Sequence, residues 1–379
     1  MDLRFASLVR AGSLGLAALG VPLCACDRAA LQAWCMGVRG AGTEYAAPAP
    51  AAARSPIDWE NLRNPILSGE QRIKDQTVVH HEGVFHLFGG GHYTSRDLRH
   101  WEGPEPFDAG SPELVRMPDG RFLLVDQGPD PASEEERHRR LRWRVSRDLF
   151  EWSPPRELAP ELPHDRNIDG ALAFANRRVV LGFKQGVRLQ QFLVAESPLP
   201  DEAGAFAWSP VRKADAGAGC GIDAWVPDLA ANVTRWAENF QFLEIDGRWR
   251  MVATARHPER PIDPGYVGSH EPFLYTMDGD GSKLEHWTRW VDKRHLQIPE
   301  EGWNRLMHAN TATLSDWRGL DGHFYLFYSG ADELDPDGRG HGSIGVARSR
   351  DLVHWEVPGG PAGGGAARSE AKPRGDRSG

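Results

Sequence analysis

Ser95-Arg96-Asp97-Leu98-Arg99-His100-Trp101 recurs almost letter for letter as Ser146-Arg147-Asp148-Leu149-Phe150-Glu151-Trp152 and as Ser349-Arg350-Asp351-Leu352-Val353-His354-Trp355. Two degenerate copies, ending in Ala207-Trp208 and His286-Trp287, fill the long gap, which makes five units. The tryptophans at 101, 152, 208, 287 and 355 are separated by 51, 56, 79 and 68 residues. Such intervals match the blades of a propeller and at their upper end exceed helical repeats. A Ser ending one strand, an Asp in the turn and a Trp opening the next strand suit an outer blade edge, with the indole wedged between blades. The heptapeptide therefore reads as structural rather than catalytic.

Upstream of each copy the chain carries an inner strand, a turn and an aromatic, alternating strand. Thr77-Val78-Val79-His80 precedes Glu82-Gly83 and Val84-Phe85-His86-Leu87-Phe88, and Phe240-Gln241-Phe242-Leu243 precedes Asp246-Gly247 and Arg248-Trp249-Arg250-Met251-Val252. Leu114-Val115 before Asp119-Gly120, and Thr311 to Leu314 before Gly322, repeat the pattern. Asp-Gly or Glu-Gly between alternating runs is a hairpin signal. Four strands in each of five units predict an all-β, five-bladed β-propeller of about 20 strands with almost no helix.

Composition agrees, with 14 Trp, 42 Gly and 28 Pro among 379 residues. The formal charge is −9, and there is no basic stripe, which excludes nucleic acid as a partner. No apolar run reaches the length of a membrane-spanning helix. At the start, Arg4, Arg10, an apolar stretch from Ala11 to Leu23 and Cys24-Ala25-Cys26 read as a leader over residues 1–35. Leu23-Cys24-Ala25-Cys26 resembles a bacterial lipobox with Cys26 as the lipidated residue, so the product is expected outside the cytoplasm, secreted, periplasmic or lipid-anchored. A start at Met36 is the alternative. Residues 36–56 are an Ala/Pro-rich linker, 57–357 the propeller and 358–379 a disordered tail. Cys35 and Cys220 lack metal-like spacing. A monomer is expected.

A propeller gathers the starts of its innermost strands at one mouth of the axial channel, so polar residues there face a shared cavity. Blade 1 offers Asp75, blade 3 Asp169, blade 4 Glu238 and blade 5 His308. Each has a plainer reading. Asp75 could cap a turn with Lys74 as partner, Asp169-Gly170 is ordinary turn chemistry, and Glu238 could be a solvated surface glutamate, as Glu244 is expected to be.

The order Asp, Asp, Glu, His across blades 1, 3, 4 and 5 resembles the five-bladed furanosidase clan, glycoside hydrolase families 43 and 62, over nearly all of 57–357. Ile73-Lys74-Asp75-Gln76-Thr77 is similar to the K-D-F-T segment of family 62, and Ile168-Asp169 with Val180-Leu181-Gly182-Phe183 to the second acidic segment. The resemblance implies a carbohydrate substrate and hydrolysis of arabinofuranosides or xylosides of plant-type polysaccharide by inversion. That chemistry needs one carboxylate to take a proton from water and one carboxyl to give a proton to the leaving oxygen. On this reading Asp75 is the general base, Glu238 the general acid, and Asp169 the third acid, which raises the Glu238 pKa and orients substrate. His308 would lie beneath the site, near a structural Ca2+ in the central channel, although no cofactor is required; it reads equally as a channel-wall histidine.

Trp303, Arg305 and Asn310 on blade 5, with Trp225, Phe107 and Tyr266 in loops, are candidates for sugar contacts, although loop aromatics more often pack blades. Two other functions stay open. A propeller phosphorylase would need cations for phosphate, for which Arg256-His257, Arg305 and His308 are suppliers. A non-catalytic glycan-binding propeller would fit the absence of Pro after Asp75 and of Gly-Pro after Glu238.

Overall fold

The computed structural model describes residues 55–69, 72–186, 191–199, 206–213, 237–256, 270–333 and 342–359. Five four-stranded antiparallel sheets follow one another along the chain as five blades of a β-propeller. Strand β1 (Leu67–Ser68) comes first. Blade 1 holds β2 (Thr77–His81), β3 (Val84–Phe88), β4 (His92–Ser95) and β5 (Trp101–Glu105). Blade 2 holds β6 (Gly110–Arg116), β7 (Phe122–Pro129), β8 (Arg139–Ser146) and β9 (Arg156–Glu157). Blade 3 holds β10 (Asn167–Ala175), β11 (Arg178–Gln185), β12 (Gln191–Pro198) and β13 (Arg212–Lys213). Blade 4 holds β14 (Ala237–Ile245), β15 (Arg248–Arg256), β16 (His270–Met277) and β17 (Trp290–His295).

Blade 5 is built differently. Its β18 (Met307–Trp317), β19 (His323–Ala331) and β20 (Ser343–Ser349) are completed by β1, which pairs antiparallel with β20 through Leu67 and Ile344. The start of the domain thus supplies the outer strand of its last blade and ties the ring. The innermost strands β2, β6, β10, β14 and β18 each contact the next, and β18 returns to β2. Apolar side chains fill the spaces between blade faces. Phe192, Phe240, Phe242, Tyr275, Trp287 and Trp290 do so between blades 3 and 4, and Trp59, Phe85, Leu87, Tyr325 and Val346 between blades 5 and 1.

The heptapeptide is a self-contained turn. Ser95 Oγ accepts hydrogen bonds from the Asp97 and Leu98 amides, and Asp97 Oδ1 accepts from the Arg99 and His100 amides. Leu98 takes a left-handed backbone (φ 62°) and is buried, and Trp101 Nε1 donates to its carbonyl. Ser146 to Trp152 repeats every one of these bonds. In blade 4 the indole that opens the outer strand and donates to the carbonyl three residues earlier is Trp290, bonded to Trp287. The repeat position of that blade therefore falls on Trp290, three residues beyond the Trp287 read from the sequence. A single helical turn, Leu284–Thr288, replaces the Ser-Arg-Asp-Leu turn there and carries Trp287 into the core. Both central residues have positive φ in the β2–β3 turn (Glu82, Gly83) and the β14–β15 turn (Asp246, Gly247). This is the tight hairpin geometry that Asp-Gly and Glu-Gly favour.

Candidate active site

One residue at the mouth end of each inner strand adopts a left-handed backbone: Asp75 (φ 51°), Ser111 (43°), Asp169 (52°), Asn239 (54°) and Thr311 (48°). In blades 2 to 5 this residue lies in a bulge, where the register between inner and second strand shifts. Positive φ is uncommon outside glycine, and Asp and Asn tolerate it best, so its recurrence at five matched positions is a built feature. The bulge turns each of these residues toward a common axial cavity, lined by all five together with Gln76, Glu113, Gln241 and Thr313.

Asp75 is held at this mouth. Ser111 Oγ donates to its Oδ2 at 3.0 Å, Asn239 Nδ2 to its Oδ1 at 3.0 Å, and Lys74 Nζ lies 3.2 Å from Oδ2. Gln127 ties blades 2 and 3 together, donating to Ser111 Oγ at 3.1 Å and accepting from the Asp169 amide at 2.8 Å. Asp169 occupies in blade 3 the position that Asp75 occupies in blade 1. In blade 4 that position belongs to Asn239. Glu238, one residue earlier, lies beside the cavity rather than in its lining and turns to blade 3.

Its partner there is Lys184 of β11, which sequence reasoning missed. Lys184 Nζ lies 2.8 Å from Glu238 Oε2 and 3.0 Å from Asp169 Oδ2, with only 1% of the side chain exposed. This reverses the electrostatics expected of the pair. Burial opposes ionisation of Glu238, but Lys184, with His270 and Lys74, outweighs it and brings the Glu238 pKa down to about 2. Asp169 is shifted the other way, because burial and the neighbouring carboxylates of Glu238 and Asp75 outweigh the same lysine. Burial also opposes the Lys184 charge, yet the two carboxylates raise its pKa, so it stays an ammonium. With Lys184 between the two carboxyls, the net shift at Glu238 is downward and not the upward one expected from Asp169 alone.

The remaining candidates divide. His308 is buried with Nδ1 3.5 Å from Glu271 Oε1, and Glu271 also bonds His295. No group of three or more His, Cys, Asp or Glu side chains able to hold a metal ion occurs among the described residues. Asn310 is buried, and its Oδ1 accepts from the Thr311 amide, which fixes the blade 5 bulge. Trp303 stacks on Tyr328 with centroids 5.8 Å apart, lies against Gly330 and Gly345, and donates to Glu301. It is blade 5 packing and not a platform at the mouth. Phe107 packs on Phe88 and Trp152 under the Arg144 guanidinium, again between blades. Arg305 is exposed and outside the cavity lining. Trp225, His257 and Tyr266 lie outside the described residues, as do Cys26 and the leader. Glu244 is exposed, as expected.

No family model and no curated protein matches the chain by sequence. Solved structures match it over most of its length. A thermostable family-43 glycoside hydrolase aligns with a TM-score of 0.53 at 16% identity, over 83% of this chain and 99% of its own. The α-L-arabinofuranosidase of Podospora anserina in complex with cellotriose gives 0.51 at 13% identity, over 76% and 96%. A GH130 structure, from a family of mannoside phosphorylases containing hydrolases that target β-1,2-mannosidic linkages in Candida mannan, gives 0.51 at 12%, over 76% and 92%. At these identities the likeness is one of fold, the five-bladed propeller that glycoside hydrolases use.

Proposed function

We propose that this protein is a glycoside hydrolase that cleaves arabinofuranosides or xylosides of plant-type polysaccharide by a single displacement with inversion. The observation that carries this reading is the arrangement of Asp75, Asp169 and Glu238. They come from blades 1, 3 and 4 to one axial mouth, in a propeller whose solved likenesses include a family-43 hydrolase and an arabinofuranosidase. Asp75 accepts two hydrogen bonds and an ion pair, which fix its direction. As general base it takes a proton from water as the water oxygen bonds to the anomeric carbon. The glycosidic C–O bond breaks, and the leaving oxygen takes the proton of Glu238. Glu238 suits contact with a ligand, since 20% of its side chain is exposed against 6% for Asp169. Asp169 orients Glu238 through Lys184. Export, with lipid attachment at Cys26, belongs to the same reading.

The test is incubation with a panel of arabinofuranosides, xylosides and arabinoxylan, with and without inorganic phosphate, followed by proton NMR of the first-formed product. Release of sugar of inverted anomeric configuration without phosphate is expected. Release of sugar phosphate only would make the enzyme a phosphorylase, and binding without release would make it a glycan-binding propeller.

A further inference from the structure

Lys184 stands at a position that the packing of blade 3 does not call for. It follows Val179-Val180-Leu181-Gly182-Phe183 on a strand whose side chains are buried, and pairs in the ladder with Ile168 and Phe192. An apolar residue would fill such a place at no electrostatic cost, whereas a buried ammonium costs several kcal/mol unless it is matched by close anionic partners. The partners are present and both belong to the mouth: Asp169 Oδ2 at 3.0 Å and Glu238 Oε2 at 2.8 Å.

We propose that Lys184 is the positioning residue of this site, clamping the Asp169 and Glu238 carboxyls into one ion triad. This rests on the reading of Glu238 as the proton donor.

Among the described residues, the charged groups around the triad come from every neighbouring element. Glu238 on β14 faces Lys184 of β11, His270 of β16 and Lys74 ahead of β2. Asp169 on β10 faces Lys184, Glu238 and Asp75. Lys184 faces both carboxyls and Arg166, which precedes β10. Lys184, His270 and Lys74 thus lower the Glu238 midpoint, while burial, Glu238 and Asp75 outweigh Lys184 at Asp169, so Glu238 gives up its proton first. A donor must carry its proton to act, so activity falls as the pH rises through the Glu238 midpoint. Without Lys184, Glu238 keeps its burial and the nearby Asp169 charge, both of which raise its midpoint.

The alkaline limb of kcat/KM, which reports the donor in the free enzyme, should therefore move upward by about 1–3 pH units in Lys184→Met and stay in place in Lys184→Arg. A residue that only packs blade 3 would change the rate and leave the limb where it was. A second readout needs no substrate: carbon-13 NMR titration of glutamate carboxyls, with the Glu238 signal assigned by its loss in Glu238→Gln. The Glu238 midpoint should lie well below the ordinary glutamate value in wild type and in Lys184→Arg, and rise in Lys184→Met, or in Lys184→Gln if the methionine variant does not fold. An ordinary midpoint in wild type, or equal midpoints with and without the ammonium, would overturn the clamp. A depressed midpoint in a protein that cleaves no glycan would keep the clamp and remove the hydrolase.

Discussion

Asp75 and Asp169 hold the same left-handed position in two blades, while Ser111, Asn239 and Thr311 hold it in the other three. One repeated backbone site thus presents a side chain from each blade to the mouth, with Glu238 one residue ahead of it in blade 4. Two residues further along β14, β18 and β6 stand Gln241, Thr313 and Glu113, and Glu113 is the exception, a buried carboxyl whose pKa burial pushes well above its ordinary 4.5. The folded protein keeps this proton where the unfolded chain has lost it. Above pH 4.5 the folded state therefore binds more protons, and stability falls as pH rises, by about 1.4 kcal/mol per unit until the folded group ionises. Glu113→Gln, neutral and nearly the same shape, should be more stable than wild type at pH 7 and lack this slope. Urea unfolding at pH 5 and pH 7 measures it, and parallel losses in the two proteins would refute it. The acids of the mouth were legible because they stand at the starts of recognisable inner strands. Lys184 was not, because it sits on a second strand, where a lysine closing an apolar run reads as the strand's exposed end.

At the scale of the element, the heptapeptide is a turn whose backbone amides are satisfied by two side chains. Ser146 is buried, and its Oγ takes the Asp148 and Leu149 amides at 3.2 and 2.8 Å. Ser146→Ala should leave the buried Leu149 amide without that acceptor and cost about 1–2 kcal/mol in chemical denaturation, whereas Ser146→Thr, which keeps the hydroxyl, should cost less. Equal losses would mean that side-chain volume, not the hydrogen bonds, holds the turn. The motif was readable because the turn chemistry permits few alternatives: Ser and Asp accept the amides in all three copies, and the indole reaches back three residues in the first two. Blade 4 hid its copy by exchanging that turn for Leu284–Thr288, where Trp287 and Trp290 lie too close in sequence for spacing to choose between them.

At the scale of the whole molecule, the ring holds only if its two ends meet. The outer strand of blade 5 escaped the sequence reading because β1 has only two residues, too few to show an alternating pattern. Asn64, just before it, is the tie. Its Nδ2 donates to the Val346 carbonyl at 3.0 Å and to Glu301 at 2.8 Å, and its Oδ1 accepts from the Val346 amide at 2.9 Å. Asn64→Ala should lower unfolding free energy by about 2–3 kcal/mol, since it strands groups on β20 as well as removing the bonds. A loss below about 0.5 kcal/mol would move the closure to the β1–β20 ladder alone. The central claim is that this closed ring carries a pair of catalytic carboxyls, and it is met most directly by comparing wild type, Asp75→Asn and Glu238→Gln in sugar release from arabinofuranosides, xylosides and arabinoxylan, with oligosaccharide affinity measured alongside. Each variant should lose about 10²–10⁴ in kcat while binding is retained; no release by wild type on any of these glycans, or full rates in both variants, would contradict the account.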